Sequence, residues 1–247
     1  MDRDLMQATM EVDDHHWWYR GRRRIIRSEL DRLPLVPGAR ILDAGCGSGR
    51  TLEELVDYGS VTGVELSEDA VEMARGRGLG EVVVGRLEEL PFPDDSFDLI
   101  TCLDVIEHTP QDGVALADLL RVCRPGGFMV VTVPAYPSLW SHHDEANHHY
   151  RRYSRRSLRA AVVGAGWGVC RISSFNSLLL APAAVVRLAQ RHRGTADGYT
   201  NDLEVGPPWL NTALEQPLRA EASWLAHGGT LPAGLSLITV LRKPWTV

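Results

Sequence analysis

The chain has 247 residues, 44% of them hydrophobic and 23% charged, which is enough to build one large α/β domain or two small ones with a substantial core. Its formal net charge of −6 argues against duplex nucleic acid as a partner. The acidic start Met1-Asp2-Arg3-Asp4 is unlike a secretory signal, and the longest apolar run, residues 178–186, reaches about half the length of a membrane span, so we expect a cytoplasmic protein.

The first predicted element is an amphipathic helix that runs to about residue 32 and follows a cluster of histidines, aromatic residues and arginines, His15-His16-Trp17-Trp18-Tyr19-Arg20. One interpretation packs Trp18, Ile25 and Ile26 on a sheet and leaves the arginines in water. In the other, the segment folds over a ligand, with an aromatic ring against it and an arginine facing an anionic group. The sequence leaves both interpretations open.

A short apolar run that ends in an acid leads directly into alternating glycines. The run Ile41-Leu42-Asp43-Ala44 predicts a buried strand, and Gly45-Cys46-Gly47-Ser48-Gly49 predicts a tight turn before a helix over residues 50–57. Bare glycine backbone lets a ligand approach main-chain N–H groups, and the N-terminus of the following helix faces the same ligand. The spacing G-x-G-x-G differs from the G-x-G-x-x-G of dinucleotide-binding folds. The segment resembles the first motif of the class I S-adenosylmethionine-dependent methyltransferases.

This resemblance implies that S-adenosylmethionine binds at the glycine turn. The residues implied there are Asp43, Ala44, Gly45 and Gly47. Methyltransferases similar to this chain often carry an aromatic and basic segment before the motif, which acts as a lid over the cofactor. The candidates in this lid are Trp18, Tyr19 and Arg23, with the arginine facing the methionine carboxylate.

The second predicted strand, residues 61–65, ends in Glu65. A carboxylate at this position can accept hydrogen bonds from both ribose hydroxyls, an arrangement also used in dinucleotide folds. In this interpretation Leu66 lies against the adenine ring, and Ser67 caps the next helix. The alternative is that Glu65 only belongs to a turn.

The third predicted strand, residues 81–85, leads into a stretch that resembles the family's Gly-Asp-Ala-Glu-x-Leu-Pro-Phe. Arg86 stands where the family has its aspartate. The resemblance therefore implies that the adenine is recognised by the backbone of Leu87 and by Glu88.

The fourth predicted strand and its exit loop, residues 96–108, resemble the family's F-D-x-I … V-x-E-H stretch. The resemblance implies that the backbone of Cys102 and Leu103 holds the methionyl amino group, and that Glu107 and His108 begin the loop facing the acceptor. A helix over residues 113–122 and a fifth strand over residues 128–133 follow, so the resemblance is continuous from residue 41 to residue 133.

The stretch after the fifth strand, residues 134–153, carries four of the nine histidines together with carboxylates and arginines. It leaves the edge at which open α/β sheets build their sites. The histidines could stabilise the loop, ligate a metal or act as a base on a bound acceptor. We favour the base, because histidine titrates near neutral pH, and we predict no metal site, since no helical histidine spacing or second acidic cluster supports one. The catalytic candidates are His143, His149, His108 and Asp144. The candidates for acceptor contacts are Trp140, Arg151, Arg152 and Tyr153.

The sixth and seventh predicted strands, residues 169–175 and 235–241, are separated by too long a segment for a structureless loop. We predict helices over residues 178–192 and 207–227 that cap the acceptor site or, alternatively, form a homodimer surface. The expected fold is a single α/β domain with a doubly wound, Rossmann-like sheet of seven strands, the last one antiparallel. Its parts are an N-terminal lid and helix (1–38), the core (39–175 and 235–247) and a helical cap insertion (176–234).

The resemblance implies methyl transfer from S-adenosylmethionine to a small-molecule acceptor. Our hypothesis is methylation of an oxygen, in a hydroxyl or a carboxylate, within bacterial specialised metabolism. The alternatives are a nitrogen or carbon acceptor, or a protein that binds S-adenosylmethionine without transferring its methyl group.

Overall fold

The computed structural model describes residues 15–181 and 207–245, and their strands form one sheet in the order β3-β2-β1-β4-β5-β7-β6. The strands are β1 (Ala39–Ala44), β2 (Gly59–Glu65), β3 (Glu81–Val84), β4 (Phe97–Leu103), β5 (Cys123–Pro134), β6 (Gly168–Phe175) and β7 (Ser236–Arg242). Strand β7 is antiparallel to β5 and β6, while β3, β2, β1, β4 and β5 pair in parallel. The predicted doubly wound, seven-stranded sheet with an antiparallel last strand is confirmed.

Helices cover both faces of this sheet. The helices among the described residues are α1 (Trp17–Leu30), α2 (Arg50–Leu55), α3 (Glu68–Gly76), α4 (Asp112–Val122), α5 (His142–Ala146), α6 (Arg155–Gly164) and α7 (Pro208–Ala226). Short 3-10 turns follow β4 at Ile106–His108 and β5 at Pro137–Leu139. Ser67 caps α3 and Ser154 caps α6 through their side chains, which explains where these two helices begin.

The central strands are apolar along almost their whole length because both of their faces are buried. Neighbouring residues of a strand point to opposite faces, so Leu42 and Ile100 join α4 and α6 in one hydrophobic cluster. Ile41 and Leu99 join α1, α2, α3 and α7 in a second cluster on the other face. The core therefore consists of two apolar layers separated by the sheet.

Helix α7 lies in the segment between β6 and β7, and it packs against α1 at very short range. A Cβ on Gly21 of α1 would lie 2.2 Å from Cδ1 of Leu218. The Oδ1 atom of Asn211 accepts a hydrogen bond from Trp17 N at the start of α1. Helix α7 matches the second predicted helix of the insertion, whereas the first, residues 178–192, lies largely outside the described residues.

Within residues 15–181 and 207–245, no helix combines the length and the apolar character needed to cross a membrane.

Candidate functional site

The strand order reverses between β1 and β4, since the chain runs outward from β1 to β3 and then returns to β4. Ligands of open α/β sheets bind in the crevice at the carboxyl ends of the strands on either side of such a reversal. In this chain the strands β1, β2 and β4 end near Asp43, Glu65 and Asp104. The crevice therefore has acidic side chains along its edge.

The glycine turn after β1 combines left-handed backbone with open space. Gly45, Gly47 and Gly49 have φ values of 78°, 53° and 81°, a region that favours glycine. A Cβ on Gly45 would lie 2.5 Å from the Val105 side chain, whereas a Cβ on Gly47 would meet nothing within 4 Å. The turn is thus packed on the loop after β4 at Gly45 and has room for a ligand at Gly47.

The Glu65 carboxylate is fixed by backbone N–H groups at the end of β2. Its Oε2 accepts from Gly47 N at 3.1 Å, and its Oε1 accepts from Leu66 N at 2.8 Å and Ser67 N at 3.0 Å. Because a carboxylate has about four acceptor positions, acceptor capacity remains for further donors such as two hydroxyls. The Leu66 side chain, predicted to lie against the adenine, is 59% exposed beside it.

Asp43 is a buried acid with one oxygen left unpaired among the described residues. Its Oδ1 accepts from Thr101 Oγ1 at 2.7 Å, and its Oδ2 has no hydrogen-bond partner there. Burial raises the pKa of Asp43 to about 6. A buried carboxylate oxygen beside the glycine turn fits a ligand that carries donor groups. The neighbouring Ala44 is fully buried as the last residue of β1.

The predicted lid residues take different positions on α1. The Trp18 ring stacks on Phe175 at a centroid distance of 6.0 Å, and the Tyr19 ring contacts His16 edge to face. The Nε atom of Arg23 lies 3.7 Å from the Glu54 carboxylate of α2. The arginine that lies at the end of β4 is Arg22.

Arg22 was missed by the sequence analysis, although the helical period offers a signal for it. Its Nε donates to Asp104 Oδ2 at 2.8 Å, and its Nη2 donates to the Leu103 carbonyl at 3.0 Å. Trp18, Arg22, Ile25 and Ile26 follow the spacing i, i+4, i+7, i+8 that marks one face of a helix. The spacing therefore places Arg22 on the apolar face of α1, while the assignment of Arg23 to the cofactor stays a prediction.

The remaining predicted cofactor residues contribute buried side chains or backbone. Cys102 and Leu87 lie in the hydrophobic cluster shared with α4, and burial raises the pKa of the Cys102 thiol well above its usual value. Leu103 is also buried, so contacts from Cys102, Leu103 and Leu87 would come from main-chain atoms. The Glu88 carboxylate lies 3.9 Å from the Arg86 guanidinium.

On the acceptor side, Asp144 organises the loop after β5. It is fully buried and accepts from Arg152 Nε at 2.6 Å and from Ser141 N at 2.9 Å, and its Oδ1 lies 2.9 Å from His149 Nδ1. Burial favours the neutral acid, but the hydrogen bonds with His149 and Arg152 outweigh it and hold the pKa of Asp144 well below its usual range. Asp144 is therefore an anion that orients His149.

Glu107 and His108, from the turn after β4, lie close to His149, from the loop after β5. The His108 and His149 rings lie 4.6 Å apart, edge to face, and potential ligand atoms of Glu107, His108 and His149 all lie within 4.8 Å of one another. Glu107 is 1% exposed and its Oε2 has no hydrogen-bond partner among the described residues. Burial, followed by the charge of Asp104, raises the pKa of Glu107 well above its usual value. His108 is exposed as a residue, but desolvation of its ring within the loop, followed by the His149 ring, lowers its pKa to about 4.

The predicted acceptor contacts mostly hold this loop together. Arg152 pairs with Asp144 and also donates to the Ala135 carbonyl, while Arg151 and the Tyr153 hydroxyl both contact the Asp112 carboxylate. Trp140 is half-buried before α5. The side chain of His143 lies outside the described part of the chain.

Comparison with known proteins gives the same fold and a consistent family. A family model described as a methyltransferase domain matches residues 42–131. The chain is 30% identical over 177 residues to the demethylmenaquinone methyltransferase of Renibacterium salmoninarum, covering 71% of this chain and 68% of that protein. It is 36% identical over 155 residues to the 27-O-demethylrifamycin SV methyltransferase of Amycolatopsis mediterranei, covering 53% of this chain and 57% of that protein.

A solved structure of a complex between the Haloferax volcanii Trm112 methyltransferase activator and a methyltransferase matches with a TM-score of 0.64 and 22% identity, covering 98% of this chain and 96% of that one. Because the identity is only 22%, this match shows similarity of the fold alone. The chain spans 57% of the length of the Amycolatopsis protein and 60% and 65% of the length of two further curated matches, so it corresponds to a part of these proteins.

Proposed function

The chain belongs to the class I S-adenosylmethionine-dependent methyltransferases, and we propose that it transfers a methyl group from S-adenosylmethionine to a hydroxyl oxygen of a small-molecule acceptor. The observation that carries this proposal is the Asp144–His149 pair, with Nδ1 of the histidine 2.9 Å from the carboxylate. A histidine held in this way can accept a proton, and it lies on the loop after β5, at the same edge of the sheet as the glycine turn.

The residues around the glycine turn fit this cofactor. Gly47 offers open backbone, Glu65 keeps acceptor capacity for the ribose hydroxyls, and the buried Oδ2 of Asp43 lacks a donor among the described residues. When bound, S-adenosylmethionine supplies an electrophilic methyl group on a positively charged sulfur, which leaves as a neutral thioether. The chain therefore needs no acid for the leaving group.

The task left to the chain is to align the acceptor and to handle its proton. Reacting atoms must be held roughly 3–3.5 Å apart before transfer. Nδ1 of His149 is engaged by Asp144, so Nε2 is the ring atom that would take the proton of an acceptor hydroxyl as the new bond forms. Asp144 stabilises the imidazolium that results, as a buried carboxylate does behind a general base.

A hydroxyl fits this side of the site better than a carboxylate does. A carboxylate acceptor would be held by arginines, but Arg151 and Arg152 are paired with Asp112 and Asp144. The name of the Amycolatopsis relative specifies an oxygen acceptor. We accordingly extend the proposal to a hydroxyl-bearing product of bacterial specialised metabolism, with residues 176–234 as the part that would bound its pocket.

The proposal is tested by binding and by product analysis. We expect S-adenosylhomocysteine to bind with measurable heat, and methyl-labelled S-adenosylmethionine to label an oxygen in a panel of phenols and hydroquinones. His149→Ala should lower turnover more than tenfold while the cofactor affinity changes less than twofold. His227→Ala, at the exposed end of α7, is the matched control and should keep the wild-type rate.

The possible negative results of these experiments lead to different conclusions. Absence of heat with S-adenosylhomocysteine would contradict a cofactor site in this chain. A label found on nitrogen or carbon would contradict the oxygen acceptor, and binding without turnover on the panel would favour a protein that holds the cofactor for another purpose. A wild-type rate in His149→Ala would remove this histidine from the reaction.

A further inference from the structure

Glu107, His108 and His149 form a cluster of two histidines and one carboxylate at the acceptor side of the crevice. Their potential ligand atoms all lie within 4.8 Å of one another, although α4 and β5 separate His149 from the other two in the chain. We propose that this cluster binds one divalent transition-metal cation of the Zn²⁺ or Co²⁺ type. The inference departs from the metal-free site that the sequence analysis predicts.

The strongest support comes from Glu107. Its side chain is almost fully buried, with 1% exposure of the residue, and Oε2 has no hydrogen-bond partner among the described residues. A buried carboxylate oxygen without a donor is unfavourable, and native proteins almost always provide it with a partner. A cation between Glu107 and the two imidazoles would be that partner.

The surroundings of His149 also match a ligand position. Its Nδ1 lies 2.9 Å from the Asp144 carboxylate, which is itself held by Arg152 and by Ser141 N. A histidine that ligates a metal through one ring nitrogen usually donates from the other to a carboxylate, which fixes the ring and raises its basicity. Asp144 is thus a positioning residue for the cation as well as for the loop.

Rotation of the side chains brings the three groups to ligand spacing. Two ligand atoms at about 2.1 Å from the same ion are about 3.4 Å apart in a tetrahedral site. The groups lie within 4.8 Å of one another, so each distance has to close by about 1.4 Å or less. The edge-to-face rings of His108 and His149, with centroids 4.6 Å apart, already come from different directions.

The donor set selects the class of cation. Two imidazoles and one carboxylate suit zinc, cobalt, nickel or iron(II), whereas magnesium and calcium prefer oxygen donors. Three protein ligands also leave at least one coordination position for another molecule, as in catalytic zinc sites.

This open position gives the cation a role that rests on the proposed function, while the binding itself does not. An acceptor hydroxyl in that position becomes more acidic and passes its proton to water. The oxygen lone pair then forms the bond to the methyl carbon while the carbon–sulfur bond breaks and leaves its electron pair on sulfur. With the cation bound, His149 is a ligand and the cation replaces it as the group that stabilises the oxygen.

Binding is tested first, without reference to turnover. The full chain is treated with a chelator, dialysed and titrated with Co²⁺, whose visible absorption reports nitrogen and oxygen ligation. We expect one Co²⁺ per chain, displacement by Zn²⁺, and a rise in melting temperature with Zn²⁺. His108→Ala, a substitution at an exposed side chain, should weaken Co²⁺ binding at least tenfold and abolish the rise in melting temperature with Zn²⁺. Glu107→Gln should have the same two effects, although glutamine has nearly the same shape as glutamate.

His227→Ala should bind Co²⁺ like the wild type, because His227 directly follows α7 and does not belong to the cluster. Equal Co²⁺ binding by the wild type and His108→Ala, or none by the wild type, would overturn the proposal. Turnover is then compared before and after chelation. Loss that is restored by Zn²⁺ or Co²⁺ supports the role in methyl transfer, whereas full turnover of the chelated protein overturns that role and leaves the proposed function with His149 as the base.

Discussion

Arg22 donates from Nε to Oδ2 of Asp104 across 2.8 Å and thereby joins the N-terminal helix to the end of β4. The same guanidinium donates to the Leu103 carbonyl at 3.0 Å. Asp104 itself has a left-handed backbone, with φ at 59°, directly after the strand that borders the crevice. The position of α1 over the crevice is therefore coupled to the strand end at which the cofactor is expected.

Removal of the Arg22 side chain should weaken cofactor binding. A hydrogen bond to a charged group contributes about 1.5–3 kcal/mol, and tenfold in affinity corresponds to about 1.4 kcal/mol. Because both side chains of this pair are partly exposed, we expect Arg22→Ala to raise the Kd for S-adenosylhomocysteine about tenfold in calorimetry. Arg27→Ala on the same helix is the control, since its ion pair with Asp57 is a surface pair of small value, with side chains that are 45% and 55% exposed. Equal losses in both variants would assign the lid contact to the helix as a whole.

The crossing of α1 and α7 should depend on the absence of a side chain at Gly21. A Cβ there would lie 2.2 Å from Cδ1 and 2.7 Å from Cβ of Leu218, which is fully buried. We expect Gly21→Ala to lower the free energy of unfolding by about 1–3 kcal/mol, the range for an overpacked core. Gly113→Ala on α4 meets nothing within 4 Å and should raise it by about 0.4–1 kcal/mol. Urea denaturation of both variants measures these changes in the free energy of unfolding. Stabilisation by Gly21→Ala would show that the two helices separate easily.

The sheet and the glycine turn could be predicted because their signals are local. An apolar run such as Ile41-Leu42 indicates a buried strand wherever it ends, and the spacing of Gly45, Gly47 and Gly49 specifies a turn without any distant residue. The order of the strands then follows from the few topologies that connect parallel strands in one sheet.

The partners of the charged residues could not be predicted, because each one comes from a distant part of the chain. Arg151 and Arg152 are adjacent, yet one pairs with Asp112 and the other with Asp144. Glu107 meets His149 only because the loop after β5 folds back, where Tyr150 N donates to the Glu107 carbonyl at 2.8 Å. A sequence pattern shows which residue types are present in such a site. Which of them pair with one another depends on long-range contacts that only the folded chain shows.

The buried Asp43 should make the folded chain less stable as the pH rises. Replacement by asparagine, which does not ionise, should remove this pH dependence. Its pKa rises from 3.8 to about 6 on folding, so the folded chain holds this proton more tightly than the unfolded chain does. The resulting stabilisation is complete below pH 3.8 and is lost as the pH rises through 6. A shift of this size corresponds to about 3 kcal/mol.

Asp43→Asn keeps a hydrogen-bonding partner for Thr101 and cannot ionise, so its stability relative to the wild type should increase by about 2 kcal/mol between pH 4.5 and pH 7.5. Chemical denaturation of both proteins without cofactor at the two pH values measures this difference. A difference that stays constant with pH would mean that Asp43 titrates near its usual value in the folded chain.

Arg152 should contribute to stability far more than its neighbour Arg151 does. Arg152 is 6% exposed and donates from Nε to the fully buried Asp144 at 2.6 Å, whereas the Arg151 side chain is 30% exposed. Removing one partner of a buried pair leaves a charge without compensation and costs about 3–5 kcal/mol. We therefore expect Arg152→Leu to lower the free energy of unfolding by this amount and Arg151→Leu by about 1 kcal/mol or less. Adding Asp144→Asn to Arg152→Leu should recover part of the loss, since the second substitution removes the uncompensated charge. These differences are measured by urea denaturation of the wild type, the two single arginine variants and the double variant. Equal losses of stability for the two arginine variants would show that water reaches Asp144 and screens its charge.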